Sequence, residues 1–235
     1  MPLTGHLEEL RSCLIKSFLA IAVAFLICFS FAEAIFSILT APLKSIQVPG
    51  LTLIGTAVSE AFFTKMKVAF IASLFLSLPF TLWQAWKFIV PGLYEHEKRY
   101  TRNFVFFGSL FFILGSLFCY EVIFQVGYAF LLRRYQVIDI RPAIKIAEYL
   151  SFSSNLLLAF GITFELPVVA YFLTRIGLID HHLLIQHFRY AVLGILFLAA
   201  VLTTPDIISQ VLLALPLTLL YGVSIGVAYL ARIKE

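Results

Sequence analysis

Four groups of residues have types and spacings that could do chemistry. The run Phe160-Gly161-Ile162-Thr163-Phe164-Glu165-Leu166-Pro167 sets one carboxylic acid about a turn from the middle of a long apolar stretch. An acid at that depth in a bilayer costs on the order of 3 kcal/mol and serves a cavity, a partner or a proton path. The alternative is a protonated Glu165 bonded to a carbonyl, such as that of Thr163, which Pro167 leaves without its helical donor. No Lys or Arg lies inside another apolar run to neutralise it. In His6-Leu7-Glu8-Glu9-Leu10-Arg11, Glu8 can pair with Arg11 at i+3, whereas the positions three and four beyond Glu9 hold Ser12 and Cys13. In Glu95-His96-Glu97-Lys98-Arg99, Glu95 reaches Lys98 or Arg99, whereas Glu97 meets Tyr100 and Thr101. Two such carboxylates on one membrane face can receive two cations, and Arg suits because its planar fork binds carboxylates bidentately; otherwise they are solvated acids. His181, His182 and His187 follow Asp180, but their spacing suits no single helical face, so they read as interfacial histidines rather than a metal site. Gly222-Val223-Ser224-Ile225-Gly226 matches a nucleophile elbow, yet it lies inside an apolar span where small residues favour helix packing. No enzyme is expected, and no phosphate-binding G-x-x-x-x-G-K-[ST] loop occurs. No cofactor and no metal are expected.

The elements that must position these residues are membrane helices. Of 235 residues 61% are apolar and 13% charged, against roughly 25% charged in soluble domains. A bilayer core of about 30 Å needs roughly 20 helical residues. Runs of that kind predict one integral membrane domain over 1–235 with six crossings, near 17–33, 64–88, 103–130, 149–174, 189–204 and 206–231. If both termini are cytoplasmic, the inner segments hold ten of the 17 Lys and Arg and the outer segments seven. That bias favours both termini inside. Basic residues flanking spans account for the net charge of +4 without nucleic acid. Cys13, Cys28 and Cys119 show no metal or redox spacing and read as free thiols.

Residues 4–16 place Leu7, Leu10 and Leu14 on one face, predicting an amphipathic surface helix before the first span. Its acids argue against a cleavable signal peptide ending at Ala32-Glu33-Ala34. Residues 34–63, with Pro42, Pro49 and Gly50, predict a structured outer cap, and residues 133–148 a second outer segment. The turn Thr203-Thr204-Pro205-Asp206 carries an N-cap and a first-turn proline, so the fifth span is only about 16 residues, roughly 24 Å. Pro216 interrupts the sixth, whose neighbours or waters must satisfy the carbonyl it frees. No internal repeat supports a secondary transporter.

Along its whole length the sequence resembles the TatC family, the signal-peptide receptors of twin-arginine protein translocation. The likeness rests on His6 to Arg11, Ala41-Pro42-Leu43, Phe88-Ile89-Val90-Pro91-Gly92-Leu93-Tyr94 with Glu97, Phe160 to Pro167, and Thr204-Pro205-Asp206, in family order. The resemblance implies an all-α membrane fold of six helices in a cupped arrangement, with Glu165 on a concave wall. It implies that Glu9 and Glu97, supported by Arg11 and Phe88, recognise the arginine pair of signal peptides, and that Pro42 and Asp206 matter at the outer face. The implied partners are twin-arginine signal peptides of folded cargo, single-span TatA- and TatB-type subunits, further copies of the chain, and the lipid bilayer of a prokaryotic cytoplasmic membrane. Transport would draw on the proton-motive force.

Overall fold

A computed structural model describes residues 3–46, 51–89, 100–137, 141–202 and 207–231. Its elements in order are α1 (Leu3–Ser30), α2 (Ala32–Ser45), β1 (Thr52–Ile54), α3 (Glu60–Ile89), α4 (Tyr100–Phe118), a π-helical turn (Cys119–Ile123), α5 (Phe124–Val137), β2 (Ala143–Lys145), α6 (Ile146–Arg175), α7 (His181–Gln186), α8 (Phe188–Leu202) and α9 (Ile207–Ala231).

Five helical stretches are long and apolar enough to cross a bilayer: Leu7–Ser30, Glu60–Phe88, Arg102–Arg133, Ile146–Arg175 and Ile207–Ala231. The third runs from α4 through the π turn into α5. Helix α8 is a shorter apolar helix where the sequence placed its fifth span, its 15 residues extending about 22 Å. The N-terminal stretch differs from expectation. It is not a separate surface helix but the first turns of α1, which runs unbroken from Leu3 to Ser30. The reason is local, since no Gly or Pro lies between Leu7 and Ser30 to stop propagation. The direction changes at Phe31, and Ala32-Glu33-Ala34 opens α2.

Helix α6 is the centre, packed against α4, α9, α3 and α8. Apolar side chains gain nothing by leaving lipid for one another, so membrane helices associate where small residues let backbones approach. Here those residues are Gly115 and Ser116 on α4 and Gly161 on α6. A Cβ on Gly115 would stand 2.5 Å from Phe164 Cγ and 2.7 Å from the Phe160 carbonyl oxygen, and one on Gly161 2.7 Å from Phe112 Cε2 and 2.8 Å from Ser116 Oγ. Ser116 Oγ donates to the Leu157 carbonyl across the same seam at 3.2 Å. Phe160, Leu150 and Leu157 of α6 form the main core with Phe124 and Tyr128 of α5 and Leu213 and Leu217 of α9.

One end of the bundle carries a cap. β1 and β2 pair in parallel, with Thr52 opposite Ala143, Leu53 opposite Ile144 and Ile54 opposite Lys145. Glu60 clamps this cap: one carboxylate oxygen accepts from Thr56 N and Oγ1 and from Ala57 N, and the other accepts from Ala147 N at 3.0 Å. It thereby ties the start of α3 to the start of α6. Lys65 Nζ meets Glu33 of α2 at 3.0 Å, and Lys67 Nζ donates to Ser151 of α6.

The seam yields a direct test. Gly115→Val forces backbone against backbone, a strain of about 1–3 kcal/mol or more, and should lower the thermal unfolding midpoint of the purified protein. Gly222→Ala on α9, where a Cβ meets nothing within 4 Å, should hold or raise it, since Ala gains up to about 1 kcal/mol over Gly in a helix. Equal midpoints for the two variants would contradict the seam.

Candidate functional site

Glu165 sits on α6 one turn beyond Gly161, where α6 meets α4 and α3. A Cβ on Gly108 of α4 would lie 3.0 Å from Glu165 Oε2, 3.4 Å from Oε1 and 3.0 Å from Leu82 Cδ1 of α3. Gly108 is therefore the space in which the carboxylate rests. Both carboxylate oxygens are sealed from solvent, and neither meets a hydrogen-bond partner among the described residues. The carbonyl bond offered by the sequence as the bland alternative is not made. The side chain as a whole is only half-buried, so rotation about its own torsions can bring the carboxylate to the surface of the bundle. The resemblance implied a concave wall for Glu165, and here its carboxylate oxygens are enclosed where α3, α4 and α6 meet. Enclosing an unsatisfied polar group in low dielectric is unfavourable, and a donor from outside would relieve it.

The next face of the same helices forms an apolar groove of about 370 Å³, floored by Pro167, Val168 and Tyr171 of α6 and flanked by Phe107 and Phe111 of α4 and Val223 and Val227 of α9.

The second candidate lies at the bundle end away from the cap. Helices α1 and α3 run antiparallel in close contact, with Cys28 and Ala69 in one packed cluster. Nineteen residues before Cys28 is Glu9 and nineteen after Ala69 is Phe88, so the register sets these two at one level, about 28 Å from the cluster. Glu9 is half-buried with one carboxylate oxygen shielded from solvent, Phe88 is half-buried, and Arg11 is exposed. Glu97, the other expected anchor, lies outside the described residues, as does Asp206.

Pro42, expected at the outer face, is buried inside α2. It has no N–H, so the Ile38 carbonyl four residues earlier loses its helical donor. Tyr120 of the π turn supplies one, its hydroxyl donating to Ile38 O at 2.7 Å. Tyr149 of α6 donates likewise to Leu39 O at 2.6 Å. A buried relay continues from Tyr149 O through Ser153 Oγ (2.7 Å) to Tyr128 OH (2.6 Å), so α2, α5 and α6 are locked together around the proline.

The histidines are brought closer than their spacing suggested. One donor atom each from Asp180, His181 and His182 lies within 4.8 Å of the others. Asp180 already has work as the cap of α7, accepting from His181 N at 2.7 Å and meeting Nδ1 at 2.6 Å. His181 packs edge-on to Tyr229 of α9. The ring contact docks α7 on α9, and the carboxylate caps α7 itself. Ser224 is an ordinary helical residue, donating to the Leu220 carbonyl at 3.0 Å inside α9; no strand or strained turn presents it as a nucleophile. The three cysteines are free thiols, as read.

Sequence reasoning missed Gly108, Glu60 and Tyr120. Gly108 had a faint signal, the seven-residue step to Gly115 that puts both on one face of α4. Glu60 had none beyond being an acid in a first turn, because its partner Ala147 is remote in sequence.

Comparison with known proteins agrees with this architecture. The family model of TatC, the Sec-independent protein translocase protein, matches residues 5–216. Among relatives, the TatC protein of Campylobacter jejuni is 44% identical over 224 residues, covering 95% of this chain and 91% of its own length. That of Helicobacter pylori is 42% identical over 227 residues, covering 96% and 87%. A crystal structure of the twin-arginine translocase receptor TatC superimposes with a TM-score of 0.86 at 38% identity, covering 96% of this chain and 99% of that one. A multi-pass, all-α membrane protein with these relatives and this fold is no enzyme of the elbow type: the chain belongs to the TatC family of protein translocase components.

Proposed function

We propose that this chain is the receptor subunit of a twin-arginine translocase, binding Arg-Arg signal peptides at its cytoplasmic face and gathering single-span TatA- and TatB-type subunits in a prokaryotic inner membrane. The observation that carries the reading is the register of α1 and α3, which sets Glu9 and Phe88 equally far along their helices from the packed cluster of Cys28 and Ala69. Glu97 follows Phe88 by nine residues in the sequence. Glu9 and Glu97 together offer two carboxylates, which match two guanidinium groups in charge and in planar geometry. The apolar part of the peptide then runs along the adjacent helices. Arg11, exposed two residues after Glu9, and Phe88 support the acids rather than bind in their place.

Glu165 serves the second half of the function. Among the described residues its oxygens meet no donor, and a polar residue on a partner's membrane helix supplies one at mid-bilayer, where an unmet carboxylate is most costly. Pro42 and Asp206 act at the outer face in assembly and transport. Further copies of the chain join the same complex.

Three outcomes follow. With both termini inside, a single cysteine at position 96 should react with an impermeant thiol reagent only after the cells are opened; labelling from outside intact cells overturns the orientation. Glu165→Ala should leave the thermal midpoint unchanged or higher, because it removes an unsatisfied buried group, while partner co-purification and transport fall sharply. Normal transport by that variant would refute the role. Glu9→Gln and Glu97→Gln should each weaken binding of a twin-arginine signal peptide by roughly tenfold or more, as losing one partner of an interfacial charge pair costs about 2–5 kcal/mol. A twin-lysine peptide should bind wild type poorly and lose little more to either change. Wild-type affinity in both variants would place the anchor elsewhere.

A further inference from the structure

A second groove, of about 740 Å³, runs between α3 and α4 on the lipid-facing side of the bundle. Its α3 wall is a stripe at four-residue spacing, Pro79 and Trp83, and exposed Lys87 lies one turn further along α3, beyond the lining. Its α4 wall runs from Arg102 through Ser109 to Ile113. From Arg102 to Ile113 is eleven residues, about 16 Å of helix, which is one leaflet of a hydrocarbon core about 30 Å thick. Below Arg102 the walls are apolar apart from Ser109. The groove opens sideways rather than into the bundle, for Trp83 and Ile113 are each about half exposed (52% and 53%). Trp83 stands six residues before the end of α3 at Ile89, toward the level at which tryptophan anchors in the headgroup region. Arg102, near the start of α4, is the one charged residue among the described residues that line the groove, and Lys87 is the cation one turn beyond Trp83 on α3.

We infer that the α3/α4 groove is a binding site for one anionic phospholipid, whose phosphate is held between Arg102 and Lys87 and whose acyl chain lies along Pro79, Trp83 and Ile113. Charge decides between the two amphiphiles that could lie there. A twin-arginine peptide with its arginines laid in this groove would meet the like charge of Arg102, whereas a lipid phosphate meets opposite charge. Guanidinium suits phosphate because it presents paired donors in a plane. The site needs only that the chain is membrane-embedded, so its failure would leave the receptor reading untouched, and loss of peptide binding would leave this site untouched.

The test uses the full chain in mild detergent with Trp86→Phe, which leaves Trp83 as the only tryptophan. Phosphatidylglycerol and phosphatidylcholine carrying the same brominated acyl chains are titrated against Trp83 fluorescence. Quenching should reach half its maximum at a concentration at least tenfold lower for phosphatidylglycerol. Changing Arg102→Gln and Lys87→Gln together should bring the two lipids level, while Arg189→Gln, an exposed cation on α8, should change nothing. Three results would each overturn the site: equal quenching of the parent by both lipids, a preference that survives the double change, or relief of quenching by a twin-arginine signal peptide at concentrations that saturate its binding. Relief by inorganic phosphate at the lipid's own concentration would likewise overturn it, by reducing it to a bare anion site.

Discussion

In lipid, helices gain little by burying apolar surface against each other, so α4 and α6 hold together by contact, and they make contact because Gly115 and Gly161 carry no side chain. Everything at mid-membrane follows from that seam. Phe112 and Phe164 interlock over the two glycines, Ser116 crosses to the Leu157 carbonyl, and Glu165, one turn further along, is brought against Gly108 and Leu82. With an alanine at position 108 the carboxylate would have to leave its place. The seam thus sets both the stability of the central helix and the location of the only acid in its apolar stretch.

Prolines show how such a bundle tolerates broken hydrogen bonding. No water competes for a bare carbonyl in hydrocarbon, so each one must find a donor within the protein. At Pro42 the donor is Tyr120, carried on the π turn, and the neighbouring Leu39 carbonyl is met by Tyr149. A residue that the family resemblance marked as functional therefore has a structural task as well, for it fixes where α2 lies on α5 and α6. The parallel β1–β2 pair and the Glu60 clamp close the same end. The capped end is tied by hydrogen bonds and the centre by close packing.

The hydrophobic pattern, being one-dimensional, was sufficient for the membrane class and the shortness of α8, because crossing a bilayer is a demand on length and composition that each segment meets by itself. Local spacing also picked out Glu165 as an acid inside an apolar stretch. Where local information misled, it did so at a boundary: the amphipathic stretch before Ser17 looked like a separate surface helix, yet nothing in the chain ends it, and α1 continues through.

Tertiary structure alone decided the rest, since it depends on residues far apart in sequence meeting in space. Glu60 and Ala147, Tyr120 and Ile38, Gly108 and Glu165 are pairs that no periodicity links. The sequence determined that Glu165 would be an acid at the depth of the bilayer core. Only the packing of three helices decided that its oxygens would be enclosed without a donor, because desolvation is a property of what surrounds a group rather than of the group itself.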